Sequence, residues 1–279
     1  MLRVALVGCG AMGARHARVM ARDPGVELVV VDALPDRARS VADEVGARTA
    51  DHVPHEIDAA VIATPTTTHA AIAGPLLARG VWCLIEKPLA HAGDAARALD
   101  SPRCAVGHVE RFNPAIRAAG GMRPRVIEAR RVAPPTGRGL DVDVVLDLMI
   151  HDLDLVLRWG GGAEVAWIDA SGARDTVSVK LRTTAGMTAT LLASRVATQR
   201  ERIVRCYEVS SCTVLDLVAG RATRDGVELP LGGDRDALTC QWSSFATAVR
   251  GNTALGSSGS AIRAVELAER IRAVVAGES

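Results

Sequence analysis

Three short groups of residues have the types and spacing to do chemistry. Gly8, Gly10 and Gly13 lie in the run Gly-Cys-Gly-Ala-Met-Gly. Glycines so spaced permit a tight turn and let the backbone approach a pyrophosphate, with Ala11 and Met12 opening a helix whose amides face that anion. Asp32 follows Gly13 by 19 residues at the end of an apolar run. From there a carboxylate accepts hydrogen bonds from the hydroxyls of an adenosine ribose. Ala33 and Leu34 come next, rather than an arginine or serine that holds a 2′-phosphate. The carboxylate repels that phosphate, so the pattern favours NAD over NADP.

The second group is Glu86-Lys87-Pro88-Leu89, closing another apolar run. Of the 33 basic residues 31 are arginine, so a lysine here is a marked choice. An amine is a compact donor whose proton affinity responds to burial, which a guanidinium does not offer. The third group runs from Asp147 to Asp154, Asp-Leu-Met-Ile-His-Asp-Leu-Asp. In a helix Asp147 and His151 share one face and Asp154 continues it. An imidazole, with a free pKa of about 6.5, takes an alcohol proton near neutrality, and a neighbouring carboxylate orients it. Each group also has an ordinary reading: a glycine turn without ligand, a surface lysine, a helix-start carboxylate with a satisfied histidine. A metal site from His151, Asp152 and Asp154 is disfavoured, because adjacent helical residues diverge by about 100°, and no metal is expected.

The elements that must position these groups follow from periodicity. Apolar runs at Leu2–Gly8, Val26–Asp32, Ile57–Thr64, Val81–Glu86 and Cys104–Val109 alternate with helical spacings from Ala11, Pro35, Thr66 and Asp94. That alternation predicts a parallel sheet covered on both faces. The rhythm then changes. A short helix at Pro114–Ala119, a strand at Val126–Val132 and a helix at Val144–Trp159 precede five strand-like runs between Ala163 and Leu217 without helices between them. Helices near Ala237–Arg250 and Ser260–Ala276 end the chain. The expected fold class is α/β: a Rossmann domain over residues 1–108, then an α+β domain over 109–279 with a mostly antiparallel sheet, its C-terminal helix free to pack back on the first domain.

Bulk properties bound the function. A chain of 279 residues, 48% hydrophobic and 23% charged, has material for two packed cores. With a net charge of +1 and scattered basic residues there is no footprint for nucleic acid or a membrane surface. The six cysteines form no Cys-x-x-Cys pair and read as buried, reduced thiols. Met1 leads straight into an apolar strand with no room for a signal peptide, and no apolar run reaches the ~18 residues of a membrane span. A cytoplasmic protein acting on a small molecule is expected.

Taken in order, Gly-Cys-Gly-Ala-Met-Gly, Asp32, Ala63-Thr64-Pro65 with His69, Glu86-Lys87-Pro88, Gly107-His108-Val109-Glu110-Arg111-Phe112-Asn113-Pro114 and Asp147-x-x-x-His151 resemble the glucose-fructose oxidoreductase and inositol dehydrogenase family, Gfo/Idh/MocA. The resemblance covers nearly the whole chain. It implies NAD held by Gly8, Gly10, Ala11, Met12, Gly13, Asp32, Thr64, Pro65, His69, Glu86 and Lys87, with nicotinamide between Lys87 and His151. It also implies Lys87, Asp147 and His151 as catalytic residues, Arg111, Asn113 and Asp154 on the substrate side, and a cis peptide before Pro88. The second domain's sheet would carry a homodimer or homotetramer. Within the family, Val145–Asp154 and Ala193-Ser194-Arg195-Val196 are similar to members that oxidise the 3-hydroxyl of a UDP-amino sugar. Free sugars, inositols or another small cyclic substrate fit the same motifs. A non-catalytic dinucleotide sensor would require only the glycines and Asp32.

Overall fold

A computed structural model of the chain describes residues 1–135, 142–231, 236–255 and 258–277. The chain divides into two compact units, Met1–Gly107 with Leu238–Ile262, and His108–Ala237 with Arg263–Ser279.

The first unit alternates strand and helix: β1 (Leu2–Val7), α1 (Ala11–Met20), β2 (Val26–Val31), α2 (Pro35–Val45), β3 (Arg48–Thr49), β4 (Ala59–Ile62), α3 (His69–Ala78), β5 (Trp82–Glu86), α4 (Gly93–Arg97) and β6 (Cys104–Gly107). The strands pair in parallel in the order β3-β2-β1-β4-β5-β6. β4, β5 and β6 are buried at every residue, which is why they read as unbroken apolar runs rather than alternating ones. Pro35 starts α2, where a missing amide costs nothing, and Gly46 ends it in a left-handed conformation. Between β1 and β4 the strand order reverses, opening a crevice at the carboxyl ends of the strands where ligands of such sheets bind.

The second unit begins with a 3₁₀ turn at Val109–Phe112 and continues through α5 (Pro114–Ala119), β7 (Val126–Val132), a π-helical turn at Val145–Met149 and α6 (Ile150–Trp159). The strands β8 (Val165–Ala173), β9 (Thr176–Thr183), β10 (Thr188–Ser194), β11 (Glu201–Tyr207), β12 (Cys212–Asp216), β13 (Arg221–Arg224) and β14 (Val227–Glu228) follow. They form one sheet in the order β14-β13-β12-β11-β7-β10-β9-β8. Only the β7–β10 pair is parallel among the described residues. Along β7, Ile127, Ala129 and Arg131 point inward, while Val126, Glu128 and Arg130 point outward. Helices α7 (Ala237–Arg250) and α8 (Ser258–Ala276) complete the chain. The Trp242 indole and Arg250 guanidinium of α7 both donate to Asp23, just after α1.

Two sequence expectations need correction. The predicted single helix Val144–Trp159 is a π turn followed by an α-helix, so Asp147 and His151 lie on different helical geometries. The short strands β13 and β14 were absent from the pattern because runs of four and two residues carry little periodicity. The connections after Pro135 and around Asp225–Asp234 fall partly outside the described residues. No helix among the described residues is long and apolar enough to cross a membrane.

Candidate active site

In the first unit β1 delivers the chain into the glycine turn. Gly8 has a φ of +96°, and a Cβ there would lie 2.7 Å from the Ala63 carbonyl oxygen. A Cβ on Gly13 would collide with the Gly8 oxygen at 1.9 Å, so α1 sits against the turn only because that residue is glycine. Gly10 differs: a Cβ would meet nothing, and the space before the backbone is open. No side chain caps α1. Its first amides, those of Ala11, Met12 and Gly13, therefore face that space with the positive end of the helix dipole behind them. Asp32 accepts the Cys9 amide at 2.6 Å and the Leu34 amide at 2.9 Å, fastening the end of β2 to the glycine turn. Beside it lies a cleft of about 540 Å³ lined by Asp32, Pro35, Arg39, Asp51 and His52 among others. Open backbone, uncapped helix, a carboxylate at the end of β2 and an adjoining cleft together fit a dinucleotide. Cys9 is no nucleophile, since burial and then Asp32 push its thiol up to about 11.

Lys87 sits at the carboxyl end of β5, and its bond to Pro88 is cis, as the resemblance implies. Two buried side chains support that turn. His69 places Nε2 3.0 Å from the Thr64 carbonyl and Nδ1 3.1 Å from that of Pro88, bracing the end of β4 against the lysine turn. Expected as a cofactor contact, it is 1% exposed and spends both nitrogens on backbone. Glu86 was expected to face the cofactor too. Its carboxylate instead turns inward to His16 of α1, at 2.7 Å. Burial alone would push this carboxyl up; the His16 hydrogen bond and charge, with Lys87 alongside, outweigh burial and hold it below the usual carboxylate range.

In the second unit Arg111 and Asp154 meet as a bidentate pair, with Nε to Oδ2 at 2.7 Å, and His108 Nε2 stands 3.9 Å from the same carboxylate. Burial would raise the Asp154 carboxyl, but His108 and Arg111 overcome this and hold it low. Asp154, expected on the substrate side, is buried against Arg111. Asn113 accepts the Ala115 amide as the N-cap of α5 and donates to Glu110 and to the Leu217 carbonyl, both at 2.9 Å. Both amide hydrogens are committed to these two acceptors. Asp147, in the π turn, lies 3.5 Å from Arg195, which also binds Asp175 at 2.7 Å and the Val142 carbonyl at 3.0 Å. His151 follows in the first turn of α6.

Beneath these residues runs an ion network. Arg131 of β7 grips Asp152 through two bonds of 3.0 and 2.9 Å and Glu110 through one of 2.7 Å. Arg202 adds 3.1 Å to Glu110. Burial pushes the Asp152 carboxyl up against the pull of Arg131, whereas Glu110, buried but shared between Arg131, Arg202 and Asn113, is held low. The network fixes α6 and the Val109–Phe112 turn on the sheet. It also claims Asp152, as Arg111 claims Asp154, which leaves the metal reading without its carboxylates. No cluster of three or more His, Cys, Asp or Glu among the described residues is placed to hold a metal ion.

Residues 2–104 match the model of the oxidoreductase family with an NAD-binding Rossmann fold. UDP-N-acetylglucosamine 3-dehydrogenase of Acidithiobacillus ferrooxidans is 35% identical over an alignment covering 100% of this chain and 98% of that protein. The chain belongs to the Gfo/Idh/MocA oxidoreductases. A crystal form of the Acidithiobacillus ferrooxidans dehydrogenase superposes on this oxidoreductase with a TM-score of 0.91, at 32% identity over 99% of this chain and 98% of the other. Myo-inositol dehydrogenase Hyg17 of Streptomyces leeuwenhoekii is 34% identical over 62% of this chain and 59% of its own. A myo-inositol dehydrogenase structure from Corynebacterium glutamicum shares the fold, with a TM-score of 0.84 at 21% identity over 99% of this chain and 97% of the other.

Of this oxidoreductase's candidate residues, the structure brings together the glycine turn with Asp32, Thr64 and His69 with the Pro88 turn, and Arg111 with Asp154. Lys87 belongs to the first unit, and Asp147 and His151 to the second. Sequence reasoning passed over His16; Arg195 entered only within the Ala193–Val196 segment, and Arg131 was given no role. Two of 31 arginines carry no signal of their own, and a histidine three residues past Gly13 looks like any helical residue until its partner is known.

Proposed function

We propose that this oxidoreductase uses NAD to oxidise a sugar hydroxyl to a ketone, at the 3-position of a UDP-linked amino sugar. The observation that carries the reading is the full-length similarity to UDP-N-acetylglucosamine 3-dehydrogenase. The open glycine turn supports the cofactor half of it. NAD held there supplies the hydride acceptor for the carbon bearing the hydroxyl.

The chain's own residues then divide the work. The α1 amides and Gly10 receive the pyrophosphate, and Asp32 receives the ribose diol while repelling a 2′-phosphate. His151 takes the hydroxyl proton, directly or through water, and Lys87 stabilises the negative charge developing on that oxygen. Asp147, steadied by Arg195, orients the proton acceptor, and Arg111, aimed by Asp154, offers a cation on the substrate side. Asp154 thus acts through Arg111. A positioned base contributes about 10² to 10⁴ in rate. Replacing His151 with alanine is accordingly expected to lower kcat at least about a hundredfold while leaving the NAD dissociation constant within about twofold. Steady-state kinetics with a nucleotide-binding titration check this, and full activity in His151→Ala would refute the assignment.

A free polyol is the second reading, favoured by the 34% identity to a myo-inositol dehydrogenase over 62% of the chain. It predicts turnover on inositols without any UDP group.

The assembly proposed is a homodimer or homotetramer formed on the outer face of the second unit's sheet. That face carries Val126 and Trp167, 40% and 46% exposed, with Leu192, Ile203 and Val214 half-buried between charged neighbours. Such an open face is ordinarily covered by a symmetric partner.

A further inference from the structure

The mechanism proposed above makes no use of Glu86 and its partner, buried directly beneath Lys87. His16 lies on α1 one turn beyond Gly13, is 1% exposed, and directs Nε2 at Glu86 Oε1 across 2.7 Å. Its Nδ1 is buried with no partner among the described residues, so the ring's polar contact is with Glu86. The other Glu86 oxygen accepts the backbone amide of Lys87 at 3.2 Å. Gly107, paired with Glu86 across β5 and β6, completes the arrangement: a Cβ there would lie 3.0 Å from the carboxylate carbon and from Oε1. Three separate segments thus close around one carboxylate directly beneath the lysine turn. A buried charge is costly and persists only when paired. A glutamine at position 86 would have filled the same space without that cost.

We propose that His16 is a positioning residue for Lys87: it holds the Glu86 carboxylate under the turn, where that charge and its bond to the Lys87 amide fix the place of the ammonium. Because α1 starts at the pyrophosphate-binding turn, the contact also ties the lysine to the element that binds the cofactor. The inference rests on the functional reading of Lys87 given above. The groups that bear on Glu86 are His16 from α1 and Lys87 from its own turn, with Gly107 contributing only space.

The test uses the whole chain with NAD and UDP-N-acetylglucosamine, in four variants. His16→Leu removes the donor and is expected to lower kcat about ten- to a hundredfold, the effect of one lost hydrogen bond to a charge. The sugar KM and the NAD dissociation constant, read by quenching of tryptophan fluorescence, should stay within about threefold of wild type by the same argument. The kcat of His16→Leu should also climb as pH rises through the range where a buried carboxyl without its partner ionises, a limb the wild type lacks. His16→Gln keeps an N–H donor and should recover most of the activity. Glu86→Gln keeps the packing without the charge, and should lower kcat with a melting temperature near wild type. It decides the matter even when His16→Leu does not fold. Wild-type kcat in Glu86→Gln, failure of His16→Gln to recover activity, or equal losses in kcat and NAD affinity would overturn the proposal. Lys87→Met separates the two levels: loss of turnover there with wild-type kcat in His16→Leu overturns this inference alone, and retained turnover in Lys87→Met overturns the reading beneath it as well.

Discussion

Arg195 holds three oxygens at once, those of Asp147, Asp175 and the Val142 carbonyl. Replacing it with alanine takes the cation away from Asp147, so kcat is expected to fall about tenfold, the worth of one charged hydrogen bond, with the NAD dissociation constant unmoved. A comparison of kcat with NAD binding checks this; wild-type kcat would remove Asp147 and Arg195 from the mechanism. The contrast with Lys87 explains what was legible at this scale. Lysine is rare in the chain and marked its own position, whereas arginine is the default cation and its working copies look like the rest. Likewise the glycine turn and Asp32 were legible because their spacing is itself the chemistry. The inward turn of Glu86 was not, because it depends on a histidine 70 residues away.

At the scale of elements, β7, α6 and the Val109–Phe112 turn are locked by Arg131, which is 1% exposed. Arg131→Met leaves Asp152 and Glu110 buried without that cation and should cost about 3–5 kcal/mol of stability, measured by urea denaturation. A cost below about 1 kcal/mol would show the network to be ornamental. Three buried carboxylates, Glu110 of this network among them, set a pH dependence. Glu110, Asp154 and Glu86 are held below their ordinary range in the folded protein. Their stabilisation is therefore complete above the unfolded carboxylate values of about 3.9–4.3 and is lost as pH falls through the lower folded values. Urea midpoints should hold level from neutrality to about pH 5 and drop below about pH 4. A midpoint that rose on acidification would contradict the ionised assignment. Periodicity made most strands and helices readable, since each buried face imposes its own repeat. It could not reveal the π turn, which changes the winding without changing residue types, nor the parallel pairing of β7 with β10, which is set by 55 or more intervening residues rather than by either strand.

At the scale of the whole molecule, a net charge of +1 and an NAD-binding Rossmann domain with Asp32 closing β2 suit the chain to small, specific ligands. Asp32 predicts that NAD raises the melting temperature more than NADP at equal concentration, because the 2′-phosphate meets a fixed negative charge. Equal shifts would place cofactor choice elsewhere. The proposed assembly predicts that Trp167→Glu lowers the molar mass seen by light scattering, and an unchanged mass would move the interface off the outer sheet face. The most direct test of the central claim is the appearance of reduced nicotinamide absorbance when the enzyme is given NAD with UDP-N-acetylglucosamine, beside parallel reactions with inositols and free hexoses. Turnover on the nucleotide sugar alone, with formation of a keto sugar, is the predicted result; turnover on a free polyol and none on the nucleotide sugar would contradict it.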